Sequence, residues 1–251
     1  MRKTIVVFGM GLLLMTLASP AKAAQIDWTG TGSGAWATFS LAGNPLGSPF
    51  SDFVGELTWN WIGAPPAGYS SSFFSYCVDA TQYLTDPQTV AVSSTSSLTG
   101  ASQSHGLVVA GGGTDAGGKI AWLYNQYATE AHADGIGAAA LQIAIWEALY
   151  DASPDLDNGT FTLVNNPAYG GYSAIKAKAS ADLASLYSKP VAGGGYTYYT
   201  GQATFLDTPA GQDQVTGSPV PEPSSMMLLG GGAIALMAKR RKRAAARSAE
   251  V

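Results

Sequence analysis

Two side chains in this sequence could form a bond with each other. Cys77 is the only cysteine among 251 residues, and it sits in an apolar run, Phe73-Phe74-Ser75-Tyr76-Cys77-Val78. Gln142 sits in another, Leu141-Gln142-Ile143-Ala144-Ile145-Trp146-Glu147-Ala148-Leu149. An unpaired carboxamide in an apolar interior costs on the order of 1–3 kcal/mol, so Gln142 needs a dedicated partner or a chemical task. A thiol held against a carboxamide carbon can condense with it, expelling ammonia and leaving an internal thioester. Sulfur overlaps poorly with the carbonyl, so the product is a stored electrophile. A primary amine that attacks it becomes an amide on the glutamine and frees the thiol. The condensation is unfavourable in water and needs a dry pocket that fixes both groups. Tyr76, Ile145, Trp146 and Glu147 are the neighbours expected to build that pocket.

Other readings of these residues stay open. A buried small hydrophobe is the ordinary fate of a free cysteine. A cysteine hydrolase would pair Cys77 with His105 or His132, which stand in Ser-His-Gly and Ala-His-Ala contexts without a signature and read as surface residues. Glu147 and Asp151, four apart on a helix, form either a solvated edge or a pair that polarises an amine-docking site. Asp151, Asp155, Asp157 and Asn158 offer oxygens in a short loop. They lack the order of a calcium loop and read as a helix-exit turn, so no metal or cofactor is expected. Ser71, Ser72 and Ser75 have no partner pattern and read as surface. Trp122 and Trp146 read first as core anchors.

The elements that must position these groups follow from periodicity and turn signals. Residues 26–62 group Trp28, Trp36, Phe39, Leu41, Phe53, Val54, Leu57, Trp59 and Trp61 between turn residues, which predicts several short strands. A strand over 73–78 carries Cys77, and another covers 89–98. The glycine-rich stretch 110–118 reads as a loop, with no lysine-serine pair to make it a phosphate loop. Helical spacing predicts helices over 119–129, 137–151 and 173–187, the second apolar on nearly every side and hence buried. Asn166-Pro167 marks a loop, residues 191–216 return to β character, and 208–219 read as a flexible stalk. The expected fold class is α+β: a β-sandwich or barrel-like domain over 24–207 with an inserted helical subdomain.

Tyr76-Cys77-Val78, Leu141-Gln142-Ile143-Ala144-Ile145-Trp146 and the lysine-led Lys119-Ile120-Ala121-Trp122-Leu123-Tyr124-Asn125 together resemble the Cys–Gln thioester domains of Gram-positive surface adhesins. That resemblance covers roughly residues 70–155. It implies a β-sandwich or barrel with a helical subdomain, a thioester between Cys77 and Gln142, and covalent capture of amines on a target surface. Leu141 stands where that family often has threonine.

The two ends carry addresses. Arg2 and Lys3, an apolar stretch from Ile5 to Leu17 and Ala21-Lys22-Ala23 make residues 1–23 a cleavable signal peptide. At the other end Val220-Pro221-Glu222-Pro223 precedes an apolar stretch, 226–238, and Lys239-Arg240-Arg241-Lys242-Arg243. The stretch is barely long enough to span a bilayer, and the basic cluster would hold residues 244–251 on the cytoplasmic side. In this order the features resemble the PEP-CTERM sorting signal of Gram-negative, exopolysaccharide-producing bacteria, over 220–243. The resemblance implies Pro221, Glu222 and Pro223 as the sorting motif, a transient stay in the inner membrane as a C-terminal sorting helix, and processing by an exosortase.

Between these ends, residues 24–223 hold four basic against sixteen acidic side chains, a formal charge of −12. No basic footprint remains for a phosphate backbone, so nucleic acid is excluded as a partner. The expected function is therefore that of an exported surface or matrix protein, not an enzyme, which captures an amine-bearing protein or matrix target through Cys77 and Gln142. The alternative is a non-covalent structural or adhesive biofilm-matrix protein on the same fold.

Overall fold

A computed structural model describes residues 23–98, 115–189, 196, 199 and 202–218. The signal peptide, His105, the Pro221-Glu222-Pro223 motif, the apolar stretch 226–238 and the basic cluster lie outside them. Among the described residues no helix is long and apolar enough to cross a membrane.

Seven strands and three helices make up the described fold: β1 (Ala24–Leu41), β2 (Phe50–Trp61), β3 (Ser72–Cys77), β4 (Gln88–Ser94), α1 (Ala116–Ala131), α2 (Gly135–Tyr150), β5 (Phe161–Val164), α3 (Tyr172–Tyr187), β6 (Ala203–Asp207) and β7 (Gln214–Gly217). All strand pairs are antiparallel, in the order β2-β3-β7-β6-β4-β1-β5, and β1 also pairs with β2. That last pairing closes six strands into a ring. Ile26 marks the closure, paired with Trp61 on one side and Gln88 on the other. The expected α+β domain with inserted helices is present, in its barrel-like form. Closure leaves the ring without a free edge, and β5 extends it along the far end of β1.

Residues 26–62 form two long strands instead of several short ones. The turn residues inside them become irregularities in the ladder: the register of β1 shifts between Trp28 and Gly30 and again between Thr31 and Gly34. Gly55 has a φ of 145° and lies so close to Ser33 and Gly34 that a Cβ there would meet the Ser33 carbonyl oxygen at 2.4 Å. Glycines read as strand ends thus let one strand bend past its partner.

Two cores result. Ile26, Trp59, Trp61, Val90 and Leu206, with Leu57, Phe73 and Val92 beside them, come from around the ring and fill the barrel. Each such side chain contributes roughly 1.5–3 kcal/mol on burial. A polar relay runs beside them: the Trp59 indole donates to Ser75 Oγ at 2.8 Å, and Ser75 donates to Gln214 Oε1 at 2.9 Å. Ser75 is therefore fully buried, contrary to the surface reading. The second, larger core lies between barrel and helices, with α2 at its centre, buried from Gly137 to Tyr150. The Asp134 side chain starts α2 by accepting from Ile136 N–H at 3.0 Å. The stretch read as a glycine-rich loop ends inside α1. A Cβ on Gly117 would lie 1.7 Å from the Thr95 carbonyl oxygen, so glycine is what lets the first turn of α1 seat there.

Residues 208–218 are not a stalk. β7 lies between β3 and β6, Thr208 and Asp213 are buried, and Asp213 Oδ1 accepts from Thr208 N–H at 2.6 Å. Its sequence is polar because Gln214 faces the relay inside the barrel, not water. A chain ending at residue 207 is expected to lose its cooperative melting transition in circular dichroism. A chain ending at 218 is expected to keep it.

Candidate functional site

After Ser75, the last residue of β3 paired with β2, the two strands part. Cys77 still pairs with Gln214 of β7, and Val78 N–H donates to the Asp213 carbonyl at 2.9 Å. On the side that β2 has left, the peptide groups of Cys77 need another partner, because buried N–H and C=O groups are rarely orphaned. α2 supplies it. Cys77 N–H donates to Gln142 Oε1 at 2.9 Å, and Gln142 Nε2 donates to the Cys77 carbonyl at 2.7 Å. One side chain of a helix thus completes a strand ladder, and the two residues singled out from the sequence are in direct contact. Gln142 is 1% exposed and Cys77 4%.

The segment beyond Cys77 is pinned from several directions. Ala80 N–H donates to the Tyr150 hydroxyl at 3.0 Å, and Asn44 Nδ2 donates to the Ala80 carbonyl at 3.0 Å. Asp79 Oδ1 accepts from the Thr81 N–H and hydroxyl. The thiol donates to the Asp79 carbonyl at 2.9 Å, and Asp79 N–H donates back to the sulfur at 3.3 Å. Burial pushes the Cys77 thiol well above its usual pKa, and the Asp79 carboxylate pushes the same way. The Asp79 N–H opposes them, and the Trp146 indole leans against the sulfur with the same sense. The resting group is a neutral thiol. Trp146 Nε1 is itself buried beside the sulfur.

Cys77, Gln142 and Trp146 line a cleft of about 440 Å³. Trp28, Trp36, Phe39, Phe50, Phe53 and Tyr83 contribute aromatic rings to its walls. Trp36 and Tyr83 are 52% and 68% exposed. The pair is therefore shielded by its own packing yet faces a space that a small molecule could enter. Trp146 packs its ring on Phe39, with centroids 4.7 Å apart, and so forms both core and cleft wall.

Of the other residues expected around the pair, three face elsewhere. The Tyr76 side chain alternates to the opposite side of β3, where its hydroxyl donates to Glu56 at 3.3 Å. Ile145 is buried in the helix–barrel core and does not line the cleft. Glu147 Oε1 accepts from Asp155 N–H at 2.8 Å, which ties the loop after α2 to the helix. Lys119, which leads α1, pairs with Asp115 at 3.6 Å and lies over the Tyr187 ring, away from Cys77.

The helix-edge reading of Glu147 and Asp151 fails, because both are buried. Asp151 accepts from Thr160 N–H at 2.8 Å and Phe161 N–H at 2.7 Å, setting up β5. The loop closes over it at Gly159, whose φ of 133° and proximity to the carboxylate admit no ordinary side chain. Asp155 accepts from Asp157 N–H and Asn158 Nδ2, and Asp157 pairs with Lys176, so these oxygens serve the turn. No group of acids, histidines and cysteine among the described residues is arranged for a metal. His132 pairs with Glu56 at 3.0 Å and packs its ring, tilted, against Phe74, outside the Cys77 cleft.

Sequence reasoning missed the cleft walls. Trp28 and Trp36 read as strand residues, and only their spacing among small polar neighbours hinted that they stay half outside. Asp52 and Tyr83 gave no signal.

Two outcomes follow from this geometry. Gln142→Ala leaves the Cys77 peptide unpaired and opens a cavity, so it is expected to lower unfolding free energy by about 2–5 kcal/mol in denaturant titration. Glu147, raised from 4.5 to about 8 mainly by burial and then by the Asp151 charge, keeps a proton that the unfolded chain releases. Stability is then full below pH about 4.5, falls as pH rises, and levels off above about 8. Glu147→Gln is expected to abolish that slope and to melt higher than the parent at alkaline pH.

Residues 219–242 match the family model described as the PEP-CTERM protein-sorting motif. No curated protein and no solved structure gives a significant match to the chain. The chain carries the sorting motif of an exported protein handled by an exosortase and directed to the cell surface of a Gram-negative bacterium.

Proposed function

We propose that this exported chain is a covalent capture protein of the surface or matrix. In this reading Cys77 and Gln142 condense to an internal thioester that transfers the Gln142 acyl group to a primary amine on a partner. The observation that carries it is the docking of the Gln142 carboxamide on the Cys77 peptide. Proximity alone removes much of the entropic barrier to condensation. The Cys77 N–H also points at Oε1, where it polarises the carbonyl and receives the negative charge that develops when sulfur attacks Cδ. In that step the S–H proton leaves with the amide nitrogen, the C–N bond breaks, the C–S bond forms, and ammonia departs. Capture reverses the exchange with a different amine: its nitrogen bonds to Cδ, the C–S bond breaks, and a proton returns to Cys77. Nothing regenerates the thioester, so the protein acts once and is not an enzyme.

The high thiol pKa fits a slow, single maturation step better than repeated turnover. It also weakens a hydrolase reading, since His132 is committed to Glu56 outside the cleft. One observation favours a second reading, a non-covalent matrix or adhesive module. The carboxamide is already satisfied at both of its polar atoms and could simply be a structural plug.

Intact mass spectrometry of the secreted chain separates the two. The capture reading expects a mass one ammonia below the sequence value, uptake of methylamine, and loss of both in Cys77→Ala. A full sequence mass with no methylamine adduct leaves only the structural plug.

A further inference from the structure

We infer that the cleft above Cys77 and Gln142 binds an amino sugar, so that the amine presented to the site belongs to a hexosamine with a free amino group in a glycan. The covalent step rests on the thioester reading; recognition by the cleft does not. Among the described residues the lining contains no lysine, arginine or histidine, and its only carboxylate is Asp52. Residues 24–223 carry a formal charge of −12, which raises the local concentration of cations. An ammonium-bearing ligand is therefore favoured over an anionic one.

The rings decide what carries that ammonium. Trp28, Trp36 and Tyr83 are 39%, 52% and 68% exposed and belong to the same opening. Large exposed aromatic groups gathered around one cavity mark a binding surface. Trp36 stacks on Tyr169, which does not line the cleft, with ring centroids 5.9 Å apart and planes at 21°. A preset indole plane suits the flat C–H face of a pyranose, and its electron-rich surface attracts a neighbouring ammonium. Gln212 brings a neutral amide to the lining, which matches hydroxyl groups, and Gln82 lines it while its Nε2 donates to Asp79 at 2.8 Å. At about 440 Å³ the cleft is large enough for a small ring ligand. An unbranched lysine side chain would leave most of it empty and the planes unused.

The test uses the purified full-length Cys77→Ala chain, which binds without reacting, and reads tryptophan fluorescence. A short glucosamine oligomer is expected to bind at least about tenfold more tightly than its N-acetylated counterpart or a lysine-rich peptide. Trp36→Ala, and separately the near-isosteric Asp52→Asn, are each expected to weaken it by about tenfold. Equal binding of the acetylated oligomer, or tighter binding of the peptide, overturns the proposal. Methylamine uptake by the unmodified chain is scored in parallel. Uptake without glucosamine binding removes the glycan and leaves the thioester; glucosamine binding without uptake does the reverse.

Discussion

The interaction on which the rest depends is the two-bond contact between the Gln142 carboxamide and the Cys77 peptide. It joins the two halves of the fold at the place where the barrel ladder is incomplete. β2 leaves β3 after Ser75, and the vacated side of Cys77 is closed by a helix side chain instead of a strand. This fixes how α2 sits on the barrel, since no other residue of that apolar helix could replace both bonds. It also explains how a carboxamide persists in a segment otherwise suited only to a core.

Around this joint, buried charge and polarity are arranged to hold backbone. Asp79, Asp151 and Asp213 accept from nearby N–H groups, and Glu147 anchors the loop after α2. The loops flanking the thiol and leaving the helix are thereby held by side-chain hydrogen bonds to their own backbone. The cost is concentrated at Glu147, one oxygen of which has no hydrogen-bond partner among the described residues. The site itself combines two properties that normally conflict: a thiol dry enough to stay neutral, and an adjoining cleft open enough to admit a reactant.

The helices were legible because their signal is local. Apolar spacing placed α1, α2 and α3 within a few residues of their ends, and the greasiness of 141–149 correctly implied burial. The juxtaposition of Cys77 with Gln142 was legible for a different reason: a lone thiol and a carboxamide inside an otherwise apolar helix each required a partner. What escaped was whatever depends on distant chain. Strand β7 has one strongly apolar residue, Val215, and is a strand only because Gln214 finds Ser75, far away in sequence. Ser75, Glu147 and Asp151 look like surface groups until their partners are known. The direction of Tyr76 follows from strand alternation, which places it opposite Cys77 and so outside the pocket it was expected to support.

An exported protein under exosortase sorting leaves the cell's supply of cofactors and energy behind, and a bond stored during folding is one way to carry reactivity outside. The most direct measurement is a high-resolution crystal structure of the secreted protein. A thioester predicts continuous density between Cys77 Sγ and Gln142 Cδ, no amide nitrogen at Gln142, and an Oε1 that still accepts from Cys77 N–H. A separate sulfur beside an intact carboxamide that donates to the Cys77 carbonyl would contradict it.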